Sequence, residues 1–158
     1  MKKLTVSSYI SLASILAAIV SMIMYFVTAS SAGYFRESYA GNSLALLIVS
    51  IVLIVLAVAS RFVSFKGTVG KIVDLSSSLV AALSSILLAT SGMLYIFPKV
   101  EGLAFIFFSN ADVAATIQTA ENIASSKLVI ATFVIILVAG LIQAISCFFS
   151  MKKAQKAA

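Results

Sequence analysis

The sequence contains no histidine, one cysteine and five acidic residues among its 158 positions. Histidine is a common general base and metal ligand, so its absence removes most catalytic and metal-binding arrangements. Cys147 has no imidazole to activate it as a nucleophile, and a single cysteine cannot form a disulfide within the chain. We therefore expect no enzyme, no metal and no cofactor.

Charged residues amount to only 10% of the chain, whereas hydrophobic residues amount to 62%. Four long stretches contain no charge, and they are bounded by Lys3 and Arg36, Glu37 and Arg61, Asp74 and Lys99, and Lys127 and Lys152. Each stretch supplies the roughly 20 apolar residues that a helix needs to cross a hydrocarbon core of about 30 Å. The pattern predicts an all-α integral membrane protein, a bundle of four transmembrane helices.

One membrane domain is expected over residues 1–158. Its predicted helices span about residues 4–29, 44–60, 75–97 and 128–150. Pro98 is expected to end the third helix, because proline cannot continue the hydrogen bonding of a helix. Gly67 and Gly70 indicate turns in the middle loop. The segment 99–127 is the longest piece predicted outside the membrane.

Most basic residues fall on one side of the predicted membrane. Eight of the eleven lie at the chain ends and in the middle loop, namely Lys2, Lys3, Arg61, Lys66, Lys71, Lys152, Lys153 and Lys156. Cytoplasmic segments of membrane proteins carry an excess of lysine and arginine. We expect a multi-pass protein of a bacterial plasma membrane with both termini in the cytoplasm. The net charge of +6 then favours contact with the lipid bilayer, and we expect no nucleic-acid partner.

The segment that joins the third and fourth helices is expected outside the cytoplasm and is expected to contain a short helix. Residues 103–108 are too few to cross the membrane, so we place them at the interface or over the end of the bundle. A capping-box spacing that starts at Ser109 predicts the helix. Asp112 and Glu121 lie on opposite sides of it and form no catalytic pair. With Ile117, they form the candidate surface for a partner.

Small residues recur on one face of the first and third predicted helices. Their steps of four and three keep them on one side of a helix. The stripes are Ser7, Ser11, Ser14, Ala18 and Ser21 in the first helix and Ser78, Ala82, Ser85, Ala89 and Gly92 in the third. In lipid, small residues let backbones approach closely, so we expect a packing seam where the two helices meet. The alternative is that serine and alanine are simply common here.

The second stripe follows the first by 71 positions, and this shift aligns eight identical residues between Ser7–Phe26 and Ser78–Phe97. A shift of 82 aligns parts of the second and fourth helices. We therefore expect two tandem helical hairpins in the same orientation, related by a pseudo-twofold axis, as in parallel-repeat transporters.

Gln143 is the deepest strongly polar side chain of the predicted helices. A lone amide in lipid usually hydrogen-bonds a neighbouring helix, and the alternative is that it lines a polar path. We expect a non-enzymatic membrane protein that acts through helix–helix and extracytoplasmic contacts, as an accessory subunit, an assembly partner or a homo-oligomer. The alternative function is a pore or carrier for a small solute, lined by hydroxyl residues such as Ser84, Thr90, Ser91 and Thr132.

Overall fold

The computed structural model describes residues 5–63 and 67–155, with side chains through residue 149. Every regular element in this part of the chain is helical. The helices are α1 (Val6–Ser30), α2 (Gly41–Ser60), α3 (Gly67–Ile96), α4 (Val100–Phe108), α5 (Ala111–Ile117) and α6 (Ala120–Gln155). A 3-10 turn, Phe97–Lys99, joins α3 to α4. The predicted helix start at residue 4 and the basic residues Lys2, Lys3, Lys66 and Lys156 lie outside the described residues.

Four segments are long and apolar enough to cross a membrane: α1, α2, the continuous stretch from α3 through α4, and α6. They confirm the prediction of four helices with the length and composition to span a membrane, but three begin earlier than predicted, α2 at Gly41 rather than near residue 44. α3 begins at Gly67 rather than near residue 75, so Gly70 lies inside its first turn. α6 begins at Ala120 rather than near residue 128. A charged residue marks where a helix leaves hydrocarbon, not where its backbone hydrogen bonds end.

α3 ends at Ile96, close to the end predicted before Pro98, but helical structure does not stop there as predicted. Pro98 lies in the 3-10 turn, at the start of a helix, where its missing N–H breaks no hydrogen bond. Helical structure therefore continues through α4 to Phe108.

α6 packs along both α1 and α3, while α2 packs closely on α3 and less closely on α1. The four helices thus surround one interior. We call the end with the α1–α2 connection (residues 31–40), α4 and α5 the cap end, and the end with Arg61 the tail end. At the cap end, Ile106 of α4 packs into a cluster with Tyr25, Tyr95 and Val129. This contact places α4 over the interior of the bundle.

Hydroxyl side chains fill much of the interior, and large apolar side chains cover the outside. The buried hydroxyl residues include Ser7, Ser8, Ser11, Ser14, Ser21, Thr28, Ser43, Ser50, Ser77, Ser84, Ser91, Ser125, Ser126, Thr132 and Ser146. Leu16, Leu79 and Leu141 are 65%, 63% and 64% exposed. A water-soluble bundle turns its large apolar side chains inward instead. The arrangement suits helices that pack against one another within lipid.

Candidate functional site

The small-residue stripe of α1 is buried against α6. Ser7 donates to the backbone oxygen of Ser146 at 2.9 Å, and Ser146 donates to the backbone oxygen of Ser7 at 2.9 Å. Ser11 bonds the Ser146 hydroxyl at 2.7 Å, and Ser14 donates to the oxygen of Ala139 at 2.8 Å. These contacts require close approach of the two backbones, and only small side chains permit it.

The stripe of α3 also meets α6, so the predicted pairing between the first and third helices needs correction. Ser85 donates to the backbone oxygen of Gly140 at 2.9 Å. A Cβ atom on Gly92 would lie 3.2 Å from the Leu137 side chain and 3.3 Å from that of Ile136. Each stripe therefore packs on α6. The physical reason is the position of α6, which lies between α1 and α3.

The most buried face of α3 lies one residue before the predicted stripe. Its members are Ser77, Ala81, Ser84, Leu88, Ser91 and Tyr95, while Gly92 at its edge is also buried. Ser78, Ala82 and Ser85 are half-buried and Ala89 is exposed. Because α3 packs on both α2 and α6, its buried face points between them, and the stripe lies to the α6 side.

A groove of about 200 Å³ runs along the outside of the bundle between α3 and α6. Its lining consists of small and aliphatic residues: Ser85, Ala89, Leu137, Gly140, Leu141 and Ala144. A second groove, of about 260 Å³, lies between α2 and α3 toward the tail end and includes Ser60, Ser76 and Ser77. Both grooves open on the lateral face, where another membrane component can reach them.

At the tail end, Arg61 links the α2 terminus to the α1–α6 contact. Its Nη1 atom donates to the Ser7 hydroxyl at 2.7 Å. Burial lowers the pKa of Arg61, because the charged guanidinium loses contact with water. The guanidinium thus extends the chain of serine hydrogen bonds toward the tail-end surface.

Gln143 is fully buried between α6 and α3 but is poorly bonded. Its Nε2 atom donates to the backbone oxygen of Ala81 across 3.5 Å, and its Oε1 atom is buried without a hydrogen-bond partner among the described residues. A hydrogen bond of this length contributes little, and an unpaired buried oxygen is costly. Gln143 is therefore a weak link between these helices.

Replacing Gln143 with methionine is expected to leave the free energy of unfolding unchanged or to raise it by up to about 1 kcal/mol, because no good hydrogen bond is lost. The control is Ser146→Ala, which removes a well-bonded hydroxyl and should cost about 1 kcal/mol. Unfolding in detergent micelles measures both. A larger loss of unfolding free energy in Gln143→Met than in Ser146→Ala would show that the Gln143 amide makes an essential interaction.

The α1–α2 connection is docked on the first turns of α6 through Asn122. The Asn122 Oδ1 atom accepts from the backbone nitrogen of Tyr34 at 2.8 Å, and its Nδ2 atom donates to the oxygen of Ile117 at 2.7 Å. The Asn122 backbone oxygen also accepts from Ser125 and Ser126. One amide thus joins three parts of the cap end.

The segment between α4 and α6 differs from the single outer helix that was predicted. α5 ends at Ile117 and α6 begins at Ala120, so the expected helix is divided. The N-cap is Asn110, whose side chain accepts from the Val113 nitrogen at 3.0 Å, and not Ser109.

The three residues of the predicted partner surface have different environments. Asp112 and Glu121 are exposed. Ile117 is half-buried and packs against the cluster of Tyr25, Tyr95 and Ile106. Its side chain therefore belongs to the interior of the cap end, and only the two acids lie on its surface.

A buried lysine lies in the 3-10 turn at the cap end. The Lys99 Nζ atom donates to the backbone oxygen of Ser38 at 3.1 Å and lies 4.5 Å from the centroid of the Tyr95 ring. The rings of Tyr95 and Tyr25 are 5.4 Å apart, and the Tyr25 hydroxyl accepts from the nitrogen of Ala40 at 2.6 Å. These side chains fasten the α1–α2 connection to the end of α3.

The buried polar side chains of the described residues are mostly hydroxyls, together with the Gln143 amide, the Lys99 amine and the Cys147 thiol. Across those residues, no group of three or more histidine, cysteine, aspartate or glutamate side chains is placed to hold a metal ion. No family model, curated protein or solved structure matches this chain.

Sequence reasoning missed the roles of Lys99, Tyr95 and Asn122. Lys99 begins the predicted outer segment 99–127, but Tyr95 precedes it by four positions, the spacing that places two helical side chains on one face. That spacing was a usable signal. No sequence signal indicated the role of Asn122, because its partner Tyr34 is distant in the sequence.

Proposed function

We propose that this chain is a non-enzymatic membrane protein that acts by lateral contact with another membrane-spanning chain, either a second copy or a different protein. The observation that carries the proposal is the α3–α6 groove. Its lining includes the small residues Gly140 and Ala144 of α6 and the exposed Ala89 of α3. Helices associate in lipid where small residues allow backbones to approach, and this groove offers such a surface to another helix.

A pore or carrier for a small solute is the weaker candidate. The interior hydroxyls support it, but they are engaged with backbone oxygens. Ser84 donates to Ala81 of its own helix and Ser91 to Ser43 of α2. Thr132 donates to Leu128, and Thr90 lies on the exposed side of α3. Hydroxyls engaged in this way favour helix packing over a solute route.

The proposed topology places the tail end in the cytoplasm of a bacterial cell and the cap end outside. The support is the excess of basic residues at the chain ends and in the middle loop. In this orientation α4, α5, Asp112 and Glu121 form the extracytoplasmic surface, which is available to a partner.

The proposed tandem hairpins are supported by the burial pattern. Serines 70 positions apart are buried in both α1 and α3, as are two tyrosines, and the pairs are Ser7 and Ser77, Ser14 and Ser84, Ser21 and Ser91, and Tyr25 and Tyr95. Residues 82 positions apart are likewise buried in α2 and α6, including Ser50 and Thr132, and Ile54 and Ile136. A shared ancestry of the two hairpins accounts for both shifts.

Disulfide cross-linking in native membranes tests the lateral contact. The background is Cys147→Ser, since Cys147 is the only cysteine, is buried, and donates to the oxygen of Gln143, as a serine can. Ala89→Cys in this background is expected to give a cross-linked dimer on oxidation if the groove receives a second copy. If it receives a different protein, a maleimide that carries a photoreactive benzophenone should give one adduct of defined mass on illumination, because the benzophenone inserts into C–H bonds of the partner.

Ala45→Cys is the matched control. Ser43 and Ser91 hydrogen-bond each other's backbone oxygens, so Ala45 of α2 lies near the depth of Ala89 of α3. Both positions are exposed, but Ala45 lies outside the groove. Equal cross-linking at the two positions would mean random collision. If both cysteine variants gave only monomer, with no dimer and no adduct, the proposed function would be contradicted.

A further inference from the structure

The outer face of α4 is apolar although it points away from the bundle. Ile106 packs into the interior cluster of the cap end, and Gly102 lies against the rings of Tyr34 and Phe35. Successive residues of a helix turn by about 100°, so Phe108 points nearly opposite to Ile106. Phe108 is 86% exposed. The other exposed apolar residues of α4 are Val100, Ala104, Phe105 and Phe107.

No other part of the bundle covers this face. Because α4 lies over the interior of the bundle, the side opposite Ile106 faces away from the helices that cross the membrane. A large apolar side chain in contact with water is unfavourable. Contiguous exposed apolar patches of this kind mark sites of contact with another molecule.

The segment that contains this face is acidic. Between residues 100 and 126 the sequence contains no lysine or arginine and three acids, Glu101, Asp112 and Glu121. All three side chains are exposed, and the only ion pair among the described residues lies elsewhere, in the α1–α2 connection. Each acid lies in the first turn of a helix, where the helix dipole favours a negative charge without neutralising it. The cap end therefore presents apolar and negative groups together.

We propose that the outer face of α4 binds a basic and apolar segment of a different protein on the cap side of the membrane. Phe108 would pack on the apolar side chains of this segment, and Glu101 would pair with its lysine or arginine. A second copy is unsuitable, because its cap end carries the same acids and its basic tail end lies at the far end of the bundle. Anionic lipid headgroups are unsuitable because the acids repel them.

Photo-cross-linking in native membranes tests this contact. Ala104→Cys in the Cys147→Ser background places a single cysteine on the outer face of α4 and leaves Phe108 in place. A maleimide that carries a benzophenone is attached to it and illuminated. We expect one adduct with a protein of defined mass, different from the mass of the dimer, and we expect its yield to fall as the salt concentration rises. The site goes beyond the lateral contact at the α3–α6 groove, where the Ala89 probe lies.

Two further substitutions in the Ala104→Cys chain test the chemistry of the contact. Glu101→Lys reverses the charge beside the probe and should lower the yield of the adduct at least about fivefold. Phe108→Ala removes the largest exposed ring and should lower the yield at least about tenfold. Glu37→Lys is the control for charge reversal, because Glu37 is an exposed acid of the α1–α2 connection, and it should retain the yield.

Three results would each overturn the proposal. They are the absence of a protein adduct, an adduct with the mass of the dimer, and a protein adduct whose yield is the same after Glu101→Lys. Glu101, Phe108 and Glu37 are exposed, so their substitution should leave the unfolding temperature in detergent nearly unchanged. A lower yield then reports the loss of the contact and not the loss of the fold.

Discussion

Gly33→Ala is expected to lower the free energy of unfolding by about 3 kcal/mol or more, and to loosen the cap end first. Gly33 has a φ of +118°, which residues with a Cβ atom rarely adopt. An added Cβ would also lie 2.7 Å from the Ser125 Oγ atom and 2.8 Å from the backbone oxygen of Glu121. The second contact is with the backbone of α6, which cannot move aside as a side chain can.

Gly41→Ala provides the control for this substitution. Gly41 is the first residue of α2, and nothing lies within 4 Å of an added Cβ. Alanine favours a helix more than glycine does, so the change should be neutral or stabilising by up to about 1 kcal/mol. Unfolding of both variants in the same detergent gives the comparison. Equal stabilities would show that the connection does not dock closely on α6.

The sequence could predict the four crossings because lipid imposes a simple requirement. A charged side chain inside hydrocarbon is costly, so charge-free stretches of sufficient length mark spanning helices. The same reasoning could not locate helix ends. Lys71 and Asp74 precede the predicted start near residue 75 but lie within α3, since a helix continues past the charges that flank the membrane.

The predicted small-residue stripe of α3 lies one residue away from the most buried face of this helix. The reason is the choice of identical residues that were used to align α1 with α3. The shift of 71 aligns Leu12 with Leu83 and Phe26 with Phe97, and all four side chains are exposed. Lipid-facing positions draw on few residue types and match by chance. A register taken from the serines and tyrosines alone gives a shift of 70, which agrees with burial.

The cap end could not be predicted because it depends on contacts between distant parts of the chain. Gly33 meets α6, Tyr34 bonds Asn122, and Lys99 bonds Ser38. None of these pairs has a spacing that propensity or periodicity can recognise.

Ser14→Leu is expected to lower the free energy of unfolding by about 2–4 kcal/mol, an effect of a size similar to that of Gly33→Ala. Ser14 is fully buried, and its hydroxyl lies 2.8 Å from the backbone oxygen of Ala139. Leucine would remove this bond and would force α1 and α6 apart at this contact. Ser14→Ala keeps the volume small and should cost only about 0.6–1 kcal/mol.

Two leucine variants separate this packing effect from a general effect of size. Ala13→Leu adds the same side chain to the exposed side of α1 and should change stability by less than about 0.5 kcal/mol. Ser85→Leu alters a half-buried residue at the edge of the α3–α6 groove, so its cost should be about 1 kcal/mol. If Ser14→Leu were no more harmful than Ala13→Leu, α1 and α6 could not be packed through their serines. The graded order instead follows from enclosure of the side chain. Ser14 and Ser85 donate to α6 backbone oxygens at nearly equal distances, but Ser14 is fully buried whereas Ser85 is half-buried and has room to accommodate a leucine.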